Sequence, residues 1–251
     1  MPKNLLTSLA LVAVASAPAA QADAVGFEFG GGAWQKSYSG TASDADGRSF
    51  DVEDDLGIDD NRNGYFWAAL EHPVPVLPNL RVERSSLDTD GEGTVTRQFT
   101  FKGQTFTANE DVESTLDIQQ TDLIAYYEVL DNWASLDIGL NVRMLDGDVR
   151  IESQDRNRSE ERSFSSPVPM AHAALRFDVP LAGAWVGAQG SGISYSGSRF
   201  IDVRAMAGYE FDFGLGFEAG YRRQNLKIDD IDDFDADIDA DGAFAGAYFN
   251  F

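Results

Sequence analysis

The chain contains no cysteine and only two histidines, His72 and His172. Without cysteine, a disulfide framework, a thiol nucleophile and a cysteine-ligated metal site are all excluded. Two histidines are also too few for a multi-histidine metal centre. Basic residues are scarce, because 19 lysines and arginines face 42 acidic residues and the formal net charge is −23. Nucleic-acid binding needs clustered positive charge, so nucleic acid is not an expected partner.

Long apolar runs are also missing, except near the N-terminus. Lys3 precedes an apolar stretch over residues 5–17, and Ala20-Gln21-Ala22 forms a small-residue cleavage motif. This order is typical of a secretory signal peptide. The stretch is shorter than the about 20 apolar residues of a membrane-spanning helix. We therefore expect residues 1–22 to be a signal peptide and residues 23–251 to form a single domain.

Alternation of apolar and polar residues dominates the rest of the sequence. In residues 134–144 every second residue is apolar: Ala134, Leu136, Ile138, Leu140, Val142 and Met144. The same period of two recurs in residues 121–129, 171–179, 200–213, 216–221 and 243–251, and it predicts β-strands. These strands are long, and their polar faces carry full charges of both signs. Both features favour membrane-crossing strands around a polar lumen over a secreted soluble β-protein, which is the alternative.

The connections between these strands alternate between short and long. The short ones are residues 73–79, 131–133, 180–183 and 214–216, and the long, acidic ones include residues 39–62, 88–111, 147–166 and 227–236. Outer-membrane barrels have short periplasmic turns and long external loops. The sequence therefore predicts an all-β fold, a transmembrane antiparallel up-and-down β-barrel of about ten strands, with eight or twelve as alternatives. The expected strands are 25–38, 62–72, 80–88, 113–130, 134–147, 167–179, 184–192, 198–213, 216–226 and 240–251.

Two segments leave the strand pattern open. Residues 99–106 read as a hairpin that we place outside the membrane, and the count becomes twelve if it crosses instead. In the second strand, Phe66, Ala68 and Leu70 compete for the lipid-facing side with the alternating set Tyr65, Trp67 and Ala69.

The last strand ends with Phe249 and Phe251 on its apolar face. A terminal phenylalanine with an apolar residue two before it resembles the assembly signal of bacterial outer-membrane β-barrel proteins. The resemblance implies an outer-membrane location in a Gram-negative cell envelope, with the barrel assembly machinery as a partner. The segment Glu71–Asn79, EHPVPVLPN, also looks like a poorly characterised family of small Gram-negative outer-membrane proteins. That likeness implies a location and no activity.

The charged faces of the predicted strands form a polar lumen. The predicted network comprises Asp122, Glu128, Asp137, Arg143, His172, Arg176, Asp178, Asp202, Arg204, Glu210, Glu218 and Arg222. A barrel of this size is nearly filled by its own side chains, and charges away from water must pair. We therefore expect a closed lumen and a structural or surface-interaction role. Because carboxylates outnumber arginines, a narrow, porin-like, cation-leaning channel is the alternative.

An enzyme is the third possibility, as a lipid-modifying or proteolytic barrel. Such hydrolases need a histidine as a base. His72 lies at a predicted short turn and His172 among the charges of the lumen, so we expect no catalytic residue, no turnover and no cofactor.

The acidic loops offer one candidate for metal binding. Asp235, Asp237, Asp239 and Asp241 share the parity of the lipid-facing Ala243, so they are expected to project outward just above the membrane. We expect this row to bind divalent cations weakly, as loosely bound Ca²⁺ or Mg²⁺ near lipopolysaccharide phosphates. Outer-membrane lipids and lipopolysaccharide are the other expected partners, and the barrel is expected to be a monomer.

Overall fold

The computed structural model describes residues 25–43, 49–58, 60–96, 98–101, 104–154, 158–231 and 234–251. The predicted signal peptide, residues 1–22, lies outside this range. The regular elements are strands: β1 Gly26–Ser43, β2 Ser49–Asp51, β3 Asn61–Glu71, β4 Asn79–Ser86, β5 Thr89–Thr94, β6 Phe99–Phe101, β7 Gln104–Phe106, β8 Asp111–Leu130, β9 Ala134–Ser153, β10 Arg158–Asp178, β11 Ala184–Tyr195, β12 Ser198–Glu210, β13 Leu215–Ile231 and β14 Phe234–Asn250. Within these ranges, no helix has the length and hydropathy needed to cross a membrane.

Ten of these strands close into an antiparallel barrel, as the sequence predicted. Around the ring the order is β1, β3, β4, β8, β9, β10, β11, β12, β13 and β14, and β14 pairs with β1 to complete the circle. The short connections, residues 72–78, 131–133, 179–183 and 211–214, lie at one end, which we call the turn end. The opposite end, where β2 and β5 to β7 are added, is called the extended end.

The pleat places alternate side chains inside and outside the barrel. In β3, Phe66 and Leu70 are 58% and 40% exposed, whereas Tyr65 and Trp67 are buried. The facing of the second strand, which the sequence left open, is therefore settled: Phe66, Ala68 and Leu70 point outward, and the Tyr65 set points into the lumen. The same alternation gives the barrel an apolar outer band and a largely polar interior.

The strands at the extended end are longer than the sequence predicted. Residues 147–166 were expected to form a loop, but β9 and β10 remain paired as far as Ser153 opposite Arg158. The loop predicted over residues 227–236 is likewise mostly strand, since β13 and β14 pair as far as Ile231 opposite Phe234. Both predictions were wrong because backbone pairing does not require an apolar outer face. The apolar alternation marks only the outer band and stops before the ladder does.

An apolar cap fills the interior at the extended end. The rings of Phe50 and Phe99 stack at 4.4 Å between centroids, and those of Phe99 and Phe106 stack at 5.3 Å. The remaining members, Val95, Val112 and Ile151, are at most 1% exposed. Phe99 and Phe106 come from the hairpin β6–β7, which pairs only with itself. The hairpin therefore adds no strand to the ring of ten, so the alternative count of twelve does not apply, and its aromatic rings close the extended end.

Candidate functional site

Midway along the lumen, buried charges form a connected set that we call the central network: Glu83, Asp122, Arg143, Asp202, Arg204 and Arg222. Arg143 lies between two carboxylates, with Nε 2.7 Å from Asp122 Oδ1 and Nη2 2.6 Å from Asp202 Oδ2. Arg222 Nη2 is also 2.6 Å from Asp202 Oδ2. Each of the six is at most 8% exposed. Their charges are therefore compensated inside the barrel, as buried charges require.

The central network crosses the full width of the barrel. Arg204 Nη2 donates to Glu83 Oε1 at 2.7 Å. Their strands, β12 and β4, are five positions apart in the ring of ten and thus face each other across the lumen. The amides of Gln120 and Gln224 also exchange hydrogen bonds of 3.0 and 3.1 Å across the lumen, from β8 to the opposite strand β13. Side chains from facing walls therefore meet in the middle.

The layer towards the extended end is filled as well. Lys36 is fully buried, and its Nζ donates to Asn63 Oδ1 and to the Ser86 carbonyl, both at 2.6 Å. The Trp34 ring has Lys36 Nζ at 5.0 Å and the Arg222 guanidinium at 4.8 Å from its centroid. These cation–π contacts join the central network to the apolar cap.

His172 belongs to the edge of the central network. Its Nδ1 lies 2.9 Å from Ser191 Oγ, and Asn141 donates both to Ser191, at 3.1 Å, and to Asp122, at 2.7 Å. A serine beside a histidine is the start of a hydrolytic arrangement. Here, however, Asp122 is held by Arg143. Ser191 and His172 are only 8% and 6% exposed, so this geometry is that of a packed polar interior.

Between the central network and the turn end lies an open cavity of about 390 Å³, which we call the vestibule. Three arginines line it: Arg81, Arg176 and Arg204, the last of which belongs to the central network. Arg176 pairs with Asp178 at 2.9 Å, and Arg81 lies with its guanidinium 3.8 Å from the centroid of the Trp67 ring. Acidic side chains are far more numerous: Glu28, Glu71, Glu128, Asp131, Asp137, Asp178, Glu210 and Glu218. Acidic groups therefore outnumber arginines in the vestibule by eight to three.

The structure divides the twelve predicted lumen residues between these two layers. The central network and its edge contain Asp122, Arg143, His172, Asp202, Arg204 and Arg222. The vestibule is lined by Glu128, Asp137, Arg176, Asp178, Glu210 and Glu218, and His172 lies at the border of both.

Sequence reasoning missed Glu83, Arg81, Gln120 and Gln224. Glu83 was overlooked although Arg81 and Glu83 alternate with the outward Leu80 and Val82 in β4. That alternation was the available signal, although the outward Arg84 interrupts its apolar face. The uncharged Gln120 and Gln224 gave no comparable signal.

The four acidic residues proposed for metal binding form a row on the outward face of β14. Asp241 accepts a hydrogen bond from Tyr221, Asp239 pairs with Arg223 at 2.8 Å, and Asp237 accepts from Asn225 at 2.8 Å. Asp235 is exposed near the end of the same row. Among the described residues, no group of three or more histidine, aspartate or glutamate side chains is placed to hold one metal ion. The row is thus largely paired with β13.

The other histidine, His72, lies in a short connection, where its Nε2 is 3.1 Å from the Pro78 carbonyl oxygen. Phe249 and Phe251 lie at the turn end, on the seam between β14 and β1. Their rings are 4.7 Å apart, and the Phe251 amide donates to the Phe27 carbonyl at 3.0 Å. Both phenylalanines therefore help to close the barrel.

No family model matches the sequence, and no curated protein matches it either. Solved structures do match. The transport unit of the autotransporter AIDA-I from Escherichia coli is 12% identical, with 97% of this chain and 94% of that chain covered and a TM-score of 0.45. The attachment invasion locus protein Ail of Yersinia pestis is 13% identical, with 91% and 100% covered and a TM-score of 0.36. A Pseudomonas aeruginosa FadL homologue is 10% identical, with 91% and 90% covered and a TM-score of 0.36.

Proposed function

We propose that the chain is an outer-membrane β-barrel of structural or surface-interaction type, with a closed lumen and no catalytic turnover. The observation that carries the proposal is the ion pair between Glu83 and Arg204, which joins opposite walls of the barrel at 2.7 Å. A conducting pore needs a continuous aqueous path through the lumen, and the contact between these two side chains blocks such a path.

The outer surface supports insertion into a membrane. Aromatic side chains ring the turn end, as in the girdles that lie at the interfaces of membrane barrels. Neighbouring members are in contact: the rings of Trp133 and Phe177 are 5.9 Å apart, and those of Phe211 and Phe213 are 5.4 Å apart. Leu140, which lies farther along β9, is 68% exposed and belongs to a band of exposed apolar side chains, a feature that marks membrane or protein contacts.

Opening the lumen would be costly. Glu83 contacts Arg204, Arg222 Nη1 at 3.3 Å and Arg81 Nη2 at 3.5 Å. Separating these groups leaves buried charges without partners, and breaking one such pair typically costs about 3–5 kcal/mol. A closed resting state is therefore favoured.

The extended end supports a role at the cell surface. It carries exposed acidic side chains that make no ion pair in the described part of the chain, among them Asp90, Glu92, Glu113 and Asp148. Together with the apolar cap, the extended strands give this end a folded, negatively charged surface. Such a surface can contact cations or basic partners without any catalytic group.

Single-cysteine labelling of intact cells tests the location and the orientation, because the sequence contains no cysteine. A bulky maleimide that cannot pass the outer membrane should label Glu92→Cys at the extended end of intact cells. It should label Val76→Cys, at a connection of the turn end where Val76 is 81% exposed, only after the outer membrane is permeabilised. Equal labelling of both positions in intact cells, or of neither, would refute the proposal.

A narrow cation-leaning channel is the second candidate. The acidic vestibule favours it, because carboxylates outnumber arginines in that half of the lumen. The channel requires the central network to separate. Steady cation-selective currents through the wild-type protein would support it over the closed barrel.

A further inference from the structure

Four carboxylates of the vestibule have no lysine or arginine within ion-pair distance in the described part of the chain: Glu28, Glu71, Asp137 and Glu218. Among the described residues, Glu71 and Glu218 accept side-chain hydrogen bonds from tyrosine hydroxyls alone, at 2.9 Å from Tyr126 and 3.0 Å from Tyr65. Tyrosine hydroxyls supply no positive charge. Like charges confined to a half-enclosed cavity repel each other, so a cation placed among these carboxylates relieves the repulsion.

Two residues that line the cavity also carry buried hydrogen-bond donors that have no acceptor among the described residues. Trp67 is 4% exposed, and its indole Nε1 has no hydrogen-bond partner among the described residues. Arg81 Nε is also buried and has no hydrogen-bond partner among the described residues. Both residues line the vestibule. Buried donors in folded proteins nearly always have a hydrogen-bond acceptor, so we expect these two to donate to acceptor oxygens of an occupant. This observation is independent of the surplus negative charge.

A single metal ion would not account for both the carboxylates without ion pairs and the donors without acceptors. The carboxylates lie too far apart for three of them to hold one ion, and a cation without oxygens offers nothing to the Trp67 N–H. The volume of about 390 Å³ falls within the range of about 300–1,000 Å³ of small-ligand sites. The occupant should therefore be extended, carry separated positive charges and include carbonyl oxygens.

We infer that the vestibule binds a short basic peptide segment. Lysine or arginine side chains of the segment pair with Glu28, Glu71, Asp137 and Glu218, and its backbone carbonyls accept from Trp67 Nε1 and Arg81 Nε. The segment enters from the turn end, where Asp131 and Asn132 line the opening. If the barrel has the orientation proposed above, that side is the periplasm. The binding itself depends only on the cavity and not on a surface role.

Calorimetric titration of the refolded protein in a neutral detergent at low salt tests this inference. Trilysine should bind, trialanine should not, and the affinity for trilysine should fall as salt is raised, because the attraction is ionic. Spermidine carries comparable charge without carbonyls and should bind about tenfold more weakly than trilysine. No binding of trilysine, or equal binding of trialanine, would overturn the inference. Equal affinity for spermidine and trilysine would refute a peptide as the occupant.

Two variants locate the binding. The vestibule variant Glu28→Gln/Glu71→Gln/Asp137→Asn/Glu218→Gln should lose about a hundredfold or more in affinity for trilysine. The matched variant removes the same number of charges from the extended end, through Asp90→Asn, Glu92→Gln, Glu113→Gln and Asp148→Asn, and should bind as the wild type does. A shift in gel migration on heating verifies that both variants fold. Unchanged binding by a folded vestibule variant, or an equal loss in the matched variant, would show that the peptide binds elsewhere. Either result would contradict the proposal.

A single substitution provides a test that remains usable if the vestibule variant with its four substitutions does not fold. Trp67→Phe keeps the aromatic ring under Arg81 but removes the N–H. It should weaken trilysine by roughly threefold to tenfold and leave spermidine unchanged. Equal effects on both ligands would show that the indole N–H does not contact a carbonyl.

Discussion

Removing the negative charge of Glu83 should destabilise the barrel more than any exposed charge change. Glu83 is 1% exposed and faces Arg204, Arg222 and Arg81 at 2.5, 3.3 and 3.5 Å. Glu83→Gln keeps the size of the side chain but leaves these arginines without their shared carboxylate. We expect a loss of about 3–5 kcal/mol in the free energy of unfolding, the usual cost of breaking one partner of a buried ion pair.

A double-mutant cycle separates the pair from the general cost of substitution. Arg204→Met should also lose about 3–5 kcal/mol. The double variant Glu83→Gln/Arg204→Met should lose less than the sum of the two single losses by about 2 kcal/mol or more, because neither group is then left unpaired. Urea unfolding of the refolded protein, followed by tryptophan fluorescence, measures each value. The exposed control Glu113→Gln should stay within about 0.5 kcal/mol of the wild type. Strictly additive losses, or a stable Glu83→Gln variant, would refute the reasoning.

Three further perturbations test other parts of the barrel. A Cβ on Gly216 would overlap the Tyr248 ring, so Gly216→Val should cost about 1–3 kcal/mol in urea unfolding, and an unchanged midpoint would contradict this packing. Replacing Phe249 and Phe251 by serine should reduce the heat-modifiable, membrane-inserted fraction seen on gels, and normal levels would remove their assembly role. Millimolar Ca²⁺ or Mg²⁺ should raise the melting temperature modestly, and changing the aspartates of the row Asp235–Asp241 to asparagine should abolish that rise. An unaltered response of the asparagine variant would rule out weak cation binding there.

The barrel could be predicted from the sequence because its strands repeat one strict alternation of outward apolar and inward polar side chains. In Ala134–Met144 the apolar side chains lie on the outer face of β9, and the charged side chains face the lumen. The pattern failed where the outer face of the strands becomes polar. At the extended end, Asp148 and Arg150 lie on the outer face of β9, so their polarity read as a loop although the hydrogen-bonded ladder continues.

The lumen residues were predictable by parity, but their partners were not. Arg143 and Asp202 both pointed inward in the sequence pattern, yet their contact joins β9 to β12 and depends on the radius of the closed barrel. Glu83 lies in the short strand β4, where the outward Arg84 interrupts the apolar face that would have marked the inner one. The vestibule could not be predicted either, because its shape depends on how side chains from many strands are arranged near the turn end.

Planar-bilayer conductance of the refolded protein tests the central claim, that the lumen is closed by its own side chains, most directly. The wild type should add no steady current steps across a range of voltages. A variant that truncates the cross-lumen contacts, Glu83→Ala/Gln120→Ala/Arg204→Ala, should show more current than the wild type if it folds by the gel criterion. Steady, cation-selective steps from the wild-type protein would contradict the closed lumen and assign the barrel to the narrow channels.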